Sequence, residues 1–131
     1  AKPTILDVEG DGDLDVFVPS AFSLELSIIL INDGSGNFTV TTIPGDTAAF
    51  SFGSAAIDFN RDGTANDILV ANRWGVQNSL WINDNAGNFT LSTINVPDEL
   101  GDTYGVTVLD ANNDGFDDDF HVTNIRIIFI L

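Results

Sequence analysis

Short apolar runs, mostly three to five residues long, alternate along this chain with polar segments that carry glycine. Thr4-Ile5-Leu6 leads into an acidic loop and Val16-Phe17-Val18 leads out of it. Ser27-Ile28-Ile29-Leu30-Ile31 follows, then the turn Asn32-Asp33-Gly34-Ser35-Gly36-Asn37, then Phe38-Thr39-Val40-Thr41-Thr42-Ile43, which alternates as a strand does. A polar, glycine-rich segment between two such runs predicts a hairpin. Pro44, Gly45 and Asp46 close the unit. No stretch shows a helical period with caps, so the expected class is all-β.

The pattern then repeats. Asp7 to Asp58 is 51 residues, Ile31 to Ile82 is also 51, and the third copy begins 52 residues further on at Asp110. Between positions 27–43 and 78–94, nine of seventeen residues are identical: Ile82, Asn83, Asp84, Gly87, Asn88, Phe89, Thr90, Thr93 and Ile94 repeat their counterparts. Phe52-Gly53 before the second loop corresponds to Tyr104-Gly105 before the third. One repeat domain spanning 1–131 is thus divided into 1–51, with its lead-in truncated, 52–103, and an incomplete 104–131. About eleven strands are expected, four per full unit and three in the last, where Ile125 to Leu131 reads as a third strand without its hairpin partner.

A period near 50 residues with four short strands is that of a β-propeller blade, a four-stranded antiparallel sheet. The nearly unbroken runs Val16-Phe17-Val18, Ile28 to Ile31, Ile68-Leu69-Val70 and Leu80-Trp81-Ile82 fit strands covered on both faces by neighbouring blades. A parallel β-helix has shorter coils and no place for hairpins. About two and a half repeats do not close a propeller, which takes at least four blades. Three arrangements are left open: part of a longer propeller, a ring of copies, or a fibre of copies added head to tail.

Composition narrows the chemistry. With 131 residues and 44% hydrophobic content the chain can bury one ordinary core. Four basic against 20 acidic residues give a formal charge of -16, which excludes nucleic-acid phosphates and anionic membrane surfaces as partners of basic patches. No apolar run approaches the roughly 20 residues of a membrane span. Thirteen of the 20 acids fall in three loops, so the charge is concentrated where a cation would sit. The absence of cysteine removes disulfides and thiolate metal sites. No signal peptide is recognisable and methionine is absent even at position 1, so a processed chain, or a piece of a longer one that has lost an export signal, is expected.

The loops are Asp7-Val8-Glu9-Gly10-Asp11-Gly12-Asp13-Leu14-Asp15, Asp58-Phe59-Asn60-Arg61-Asp62-Gly63-Thr64-Ala65-Asn66-Asp67 and Asp110-Ala111-Asn112-Asn113-Asp114-Gly115-Phe116-Asp117-Asp118-Asp119. Oxygen-bearing side chains fall on alternate residues and glycine follows the third, so carboxylates and amides can turn inward together around a hard cation. An EF-hand starts similarly but needs a bidentate acid at position twelve, where Val18, Leu69 and His121 stand. Acids spaced by two repel one another without a cation and do not resemble the separated pairs of glycosidases. His121 stands alone beside Val122 and no nucleophile motif is present, so no enzyme is expected. Trp81, inside an apolar run, reads as core; Trp74, in Asn72-Arg73-Trp74-Gly75, reads as an exposed contact. The sequons at Asn37 and Asn88 belong to the repeat consensus.

The aromatic-glycine lead-in, the Asp-x-Asn-x-Asp-Gly loop, the following Asp-Ile-Leu-Val and the Asn-Asp-x-x-Gly-Asn-Phe-Thr hairpin together resemble the FG-GAP and VCBS repeats over essentially the whole chain. Such repeats build the calcium-bearing β-propellers of integrin α-subunits and of many bacterial surface and secreted proteins. The resemblance implies about three Ca²⁺ sites. The first would use the side chains of Asp7, Glu9, Asp11 and Asp15 with the Asp13 carbonyl; the longer arm of Glu9 replaces the usual Asp or Asn. The second would use Asp58, Asn60 and Asp62 with the Thr64 carbonyl, and the third Asp110, Asn112 and Asp114 with the Phe116 carbonyl. With one extra residue expected before the strand in loops two and three, the closing ligand is Asn66 or Asp67, and Asp118 or Asp119, with Asp67 and Asp118 preferred. The implied function is a non-enzymatic, secreted or cell-surface module for adhesion or surface assembly. Its partners would be calcium, other blades of the same or a neighbouring chain, and a protein or glycan ligand. The alternative is a lectin-like propeller that binds carbohydrate, as an accessory to a polysaccharide-acting enzyme.

Overall fold

The computed structural model describes residues 1–22, 25–47, 50–94, 96, 102–123 and 127–130, with side-chain surroundings as far as residue 117. Ile125, Arg126 and Leu131 of the expected last strand lie outside these residues, as do the side chains of Asp118 and His121. Among the described residues the elements are β1 (Thr4–Leu6), β2 (Asp15–Val18), β3 (Ile28–Asn32), β4 (Phe38–Thr42), β5 (Ser51–Ile57), β6 (Asp67–Asn72), β7 (Ser79–Asn83), β8 (Phe89–Leu91), β9 (Thr103–Leu109), β10 (Asp118–Thr123) and β11 (Ile127–Ile130). They form three antiparallel meanders, β1-β2-β3-β4, β5-β6-β7-β8 and β9-β10-β11. The all-β class and the four-stranded sheets follow the sequence pattern.

The turns between β3 and β4 and between β7 and β8 are each held by one aspartate. Asp33 Oδ1 accepts the Ser35 and Asn37 N–H groups and its Oδ2 accepts the Asn37 side-chain amide at 2.8 Å. Asp84 repeats this with Ala86 and Asn88. The Asn-Asp-x-x-Gly-Asn pattern is therefore a local hydrogen-bond programme, and the sequon amides Asn37 and Asn88 are built into it.

Strand alternation sorts residues onto two faces of each sheet. In the first sheet Thr4 pairs with Phe17 and Phe17 with Ile29, a row that faces the second sheet; Ile5, Val16 and Leu30 form the row behind it. Leu6, Val8, Phe17, Ile29 and Ile43 pack against Ile68, Val70, Trp81 and Phe89 of the second sheet. On the other side of the second sheet, Ile57, Leu69, Ala71 and Leu80 pack with Val96 and with Val106 and Val108 of β9. Burying one such large side chain contributes about 1.5–3 kcal/mol, so these two interfaces are what order the sheets.

The second sheet is covered on both sides, and β6 is buried along its whole length. Two-sided cover of β2 and β3 is not met. Val16, Val18, Ile28 and Leu30 are half-exposed because the first sheet has a neighbour on one face.

β1, β5 and β9, each the first strand and an edge of its sheet, lie side by side in that order. The Lys2 N–H donates to the Phe52 carbonyl at 3.1 Å, and the Thr4 and Ser54 hydroxyls are 2.6 Å apart. At Gly53 the next sheet comes so close that a Cβ would stand 2.9 Å from Gly105 Cα and 3.3 Å from the Tyr104 carbonyl oxygen. Among the described residues, the same construction at Gly105 meets nothing within 4 Å. Gly53→Ala is thus expected to destabilise by about 1–3 kcal/mol, as overpacking against backbone does. Gly105→Ala should be far milder, and thermal melts of the two variants check the asymmetry.

Candidate metal-binding loops and the carboxylates beneath them

Three loops join the first and second strands of each sheet, and they share one backbone path. The fourth position is left-handed in each, at Gly10 (φ 72), Arg61 (φ 60) and Asn113 (φ 59), and so is the sixth, at Gly12, Gly63 and Gly115. Arginine adopts this region rarely, so the loop must over-determine it. The first carboxylate does so. Asp58 accepts the N–H groups of Asp62 and Gly63 at 3.0 and 2.9 Å; Asp110 accepts those of Asp114 and Gly115. Asp7 accepts those of Gly10, Asp11 and Gly12. The third and fifth positions add turns of two residues: Asn60 to Asp62 and Asp62 to Thr64, then Asn112 to Asp114 and Asp114 to Phe116. In the first loop Asp11 accepts the Asp13 N–H, while Glu9 runs beside Gly87 of the second sheet's hairpin.

The strand register aligns the closing residues. Leu6 pairs with Asp15, Ile57 with Asp67 and Leu109 with Asp118, so these three aspartates are equivalent. The expected extra residue is present in loop two alone; in loop three β10 begins at Asp118, which corrects the expectation there. The pairing of β9 with β10 sets that start, which loop spacing by itself leaves open.

Asp15 and Asp67 are buried, and backbone N–H groups take up their oxygens. Asp15 accepts from Val8 and Asn32, both at 2.8 Å. Asp67, 0% exposed, accepts from Phe59 at 3.0 Å, Asn60 at 3.2 Å and Asn83 at 2.8 Å. Each carboxylate ties the start of its loop to the end of the third strand. Burial pushes the Asp67 carboxyl up, and the N–H groups of Asn83, Asn60 and Phe59 oppose that shift.

Asn66 stands beside this centre. Its amide nitrogen donates to Asn85 Oδ1 at 2.8 Å, and the Asn85 amide donates to Asp62 Oδ2 at 3.0 Å. The Asp62 carboxylate accepts and does not donate, so it orients Asn85 and, through it, Asn66. The far end of the relay, Asn66 Oδ1, is buried without a hydrogen-bond partner. Asn60 first, then the Thr64 N–H and Asn85, hold the Asp62 carboxyl below the ordinary range against its partial desolvation. Sequence reading missed Asn85; it occupies the place of Gly34 and keeps its left-handed conformation at φ 64, which an asparagine tolerates.

Among the described residues, no three His, Cys, Asp or Glu side chains converge as a ready metal site. Asp7, Asp58 and Asp110 face loop N–H groups, Asp15 and Asp67 face the backbone beneath, and loops two and three mix carboxylates with amides. The loops nevertheless share one end of the sheets. The Arg61 guanidinium lies 4.0 Å from the Phe116 ring centre, linking loop two to loop three, and the Asn83 amide donates to the Val8 carbonyl at 2.8 Å, linking the second hairpin to loop one.

Trp74 lies at the opposite end, 54% exposed as expected, whereas Trp81 is core. The Arg73 guanidinium is stacked 3.9 Å from the ring centre of Tyr104, 4.7 Å from that of Phe52 and 5.0 Å from that of Trp74, and Asp102 lies 3.6 Å from its Nε. The lead-in aromatics thus hold an arginine between the second and third sheets.

Two four-stranded meanders and a three-stranded one, stacked in succession and each with an Asp-rich loop after its first strand, define a repeat module of β-propeller-type blades. A family model described as FG-GAP-like repeat matches residues 7–66 and 65–119, and the chain belongs to that family. No curated protein and no solved structure matched it.

Two outcomes follow. Asp67→Ala strands buried N–H donors at about 1–3 kcal/mol each, so denaturant unfolding should show a loss of about 3 kcal/mol or more, with Asp67→Asn milder. Asp33 and Asp84 are both held below the ordinary carboxylate range, first by the side-chain amides of Asn37 and Asn88 and then by backbone N–H groups. A lowered folded value means stability that is present above the unfolded-state value and is lost as pH falls through the folded one. An NMR carboxyl titration should place Asp84 low, and Asn88→Ala should move it back up.

Proposed function

We propose that this chain is a non-enzymatic, calcium-stabilised repeat module that works outside the cell, in adhesion or surface structure. FG-GAP-like repeats are generally non-catalytic modules. The observation that carries the calcium reading is the buried, unpartnered Asn66 Oδ1 beside an oxygen-rich loop. A buried acceptor without a donor costs free energy, and a hard cation is one group that satisfies it.

Loop two would hold the ion through Asp58, Asn60, Asp62, the Thr64 carbonyl and Asn66. This choice favours Asn66 over Asp67, whose oxygens already serve the N–H groups of Phe59, Asn60 and Asn83. Loop one would use Asp7, Glu9, Asp11 and the Asp13 carbonyl, because the Asp15 carboxylate serves the Val8 and Asn32 N–H groups as Asp67 serves its own; loop three would use Asp110, Asn112, Asp114 and the Phe116 carbonyl. A bound cation supplies positive charge where 13 acidic residues crowd three loops. The chain's own part is to pre-shape those loops through the first and closing carboxylates.

A second reading, a glycan platform, has the exposed ring of Trp74 in its favour. Glycan-array binding that Trp74→Ala abolishes would carry it; no binding leaves the first reading.

Extracellular calcium modules bind with dissociation constants of about 10⁻⁴–10⁻³ M, and ligand at 100 times that constant stabilises by about 2.7 kcal/mol per site. Melting in calcium should therefore exceed melting in EDTA by a clear margin, with Asn66→Ala and Asp58→Ala each lowering the bound calcium measured by elemental analysis. Identical melts with no bound metal would overturn the reading.

A further inference from the structure

Asn85 stands in the turn between β7 and β8, outside all three acidic loops, yet its side chain reaches into loop two. Its amide nitrogen donates to Asp62 Oδ2 at 3.0 Å, and its oxygen accepts from the Asn66 amide at 2.8 Å. A carboxylate can only accept, so Asp62 fixes which end of the Asn85 amide faces it, and Asn85 then fixes which end of Asn66 it meets. The end left over is Asn66 Oδ1, which is buried and has no hydrogen-bond partner. Asn66 is 1% exposed, so bulk water does not satisfy that oxygen.

The first blade fills the same junction differently. Gly34 holds the place of Asn85, and the Asp13 side chain of loop one occupies the space where a side chain at 34 would begin. Gly34 and Asn85 share the left-handed conformation, at φ 73 and φ 64. In the second blade the hairpin supplies the side chain, and loop two, one residue longer, supplies the Asn66 that meets it. Asn85 is also anchored at its backbone. Its N–H donates to Asn83 Oδ1 at 3.1 Å, and the Asn83 amide is tied to the Val8 carbonyl at 2.8 Å. The Asn85 carbonyl lies so near loop one that a Cβ on Gly10 would stand 2.9 Å from its oxygen. The relay therefore starts from a fixed turn, braced against the first blade.

We propose that Asn85 is a positioning residue for calcium in loop two: it holds the Asn66 amide with its free oxygen ready as a ligand, and so makes loop two the tightest of the three sites. This rests on the calcium reading above, and adds to it a residue from another hairpin and a ranking of the loops. Ordering an amide when the ion arrives costs free energy at binding, and an amide locked beforehand avoids that cost. Among the described residues, no side-chain oxygen of loop one or loop three is buried without a partner, so neither holds a ligand prepared in this way. Partners that orient a metal ligand from outside change affinity by about 10–100-fold when they are removed.

Calorimetric titration of the chelator-treated full chain with calcium chloride tests it, alongside melts in EDTA and in calcium and the β-sheet circular dichroism spectrum of each variant. The wild type should show one site tighter than the rest, and Asp58→Ala should remove that site. Asn85→Gly gives the turn the residue that the first blade has, at a position whose positive φ suits glycine, so the fold is kept. It should weaken the tight site about 10–100-fold and leave the others unchanged. Asn66→Ala should weaken it similarly, and adding Asn85→Gly to Asn66→Ala should bring no further loss, because Asn85 acts through Asn66. Asn66→Ser takes the place of Asn66→Ala if that variant loses the β spectrum. A merely structural role would lower the melts in EDTA and in calcium alike at unchanged affinity, and that result overturns the inference. So do three sites of equal affinity, and so does a loss on Asn85→Gly that persists undiminished beside Asn66→Ala, since Asn85 would then act through Asp62. In each of these cases calcium still binds and the calcium reading stands, whereas no binding at all overturns both.

Discussion

A buried carboxylate at the first residue of β2, and its equivalent in β6, is the constraint on which the first two blades depend. Asp15 and Asp67 each gather N–H groups from the start of the loop above and from the end of the third strand beside it. Removing such a charge from water is costly, and several backbone donors aimed at it make the position tolerable. The same donors would be stranded without it. Loop, second strand and third strand therefore form one unit, and the Asx-turns of the loop are built on this base.

Contacts between blades combine apolar area with a few polar links. The faces around Phe17 and Trp81, and around Leu69 and Val106, remove the most surface from water. Polar links then set how one blade sits on the next: Thr4 to Ser54, Asn83 to the Val8 carbonyl, and the Asn78 amide to the Thr103 hydroxyl. At one rim the acidic loops are tied by Arg61 and Phe116; at the other, Arg73 is enclosed by Phe52, Trp74 and Tyr104. In repeat folds stability is approximately a sum of repeat and neighbour terms, so a face without a neighbour forgoes its interface term. The first blade is accordingly half-covered, while β6 of the second is buried along its length.

The candidate site divides along the same line. Alternate oxygens and a following glycine marked each loop, and the left-handed positions confirm that all three loops take one path. The role of the last oxygen did not follow from spacing. Spacing left Asn66 and Asp67 as alternatives for the closing position; the Asp67 carboxylate is turned inward onto the backbone, and Asn66 carries an unpartnered oxygen. Asn85, from a different hairpin, is oriented by Asp62 and in turn orients Asn66, and it is invisible to any motif confined to one loop.

By itself the sequence determined what depends on neighbours along the chain: strands of period two, hairpin turns held by Asp33 and Asp84, acidic loops, and the 51-residue repeat that stacks them. Those features rest on local hydrogen bonds and side-chain alternation, which act within a few residues. Tertiary structure decided the rest. The pairing of β9 with β10 set the length of loop three, and the pairing of β5 with β6 placed the extra residue in loop two. Packing of one blade on the next decided which apolar runs are covered on both faces and which on one, because burial depends on what lies across the interface.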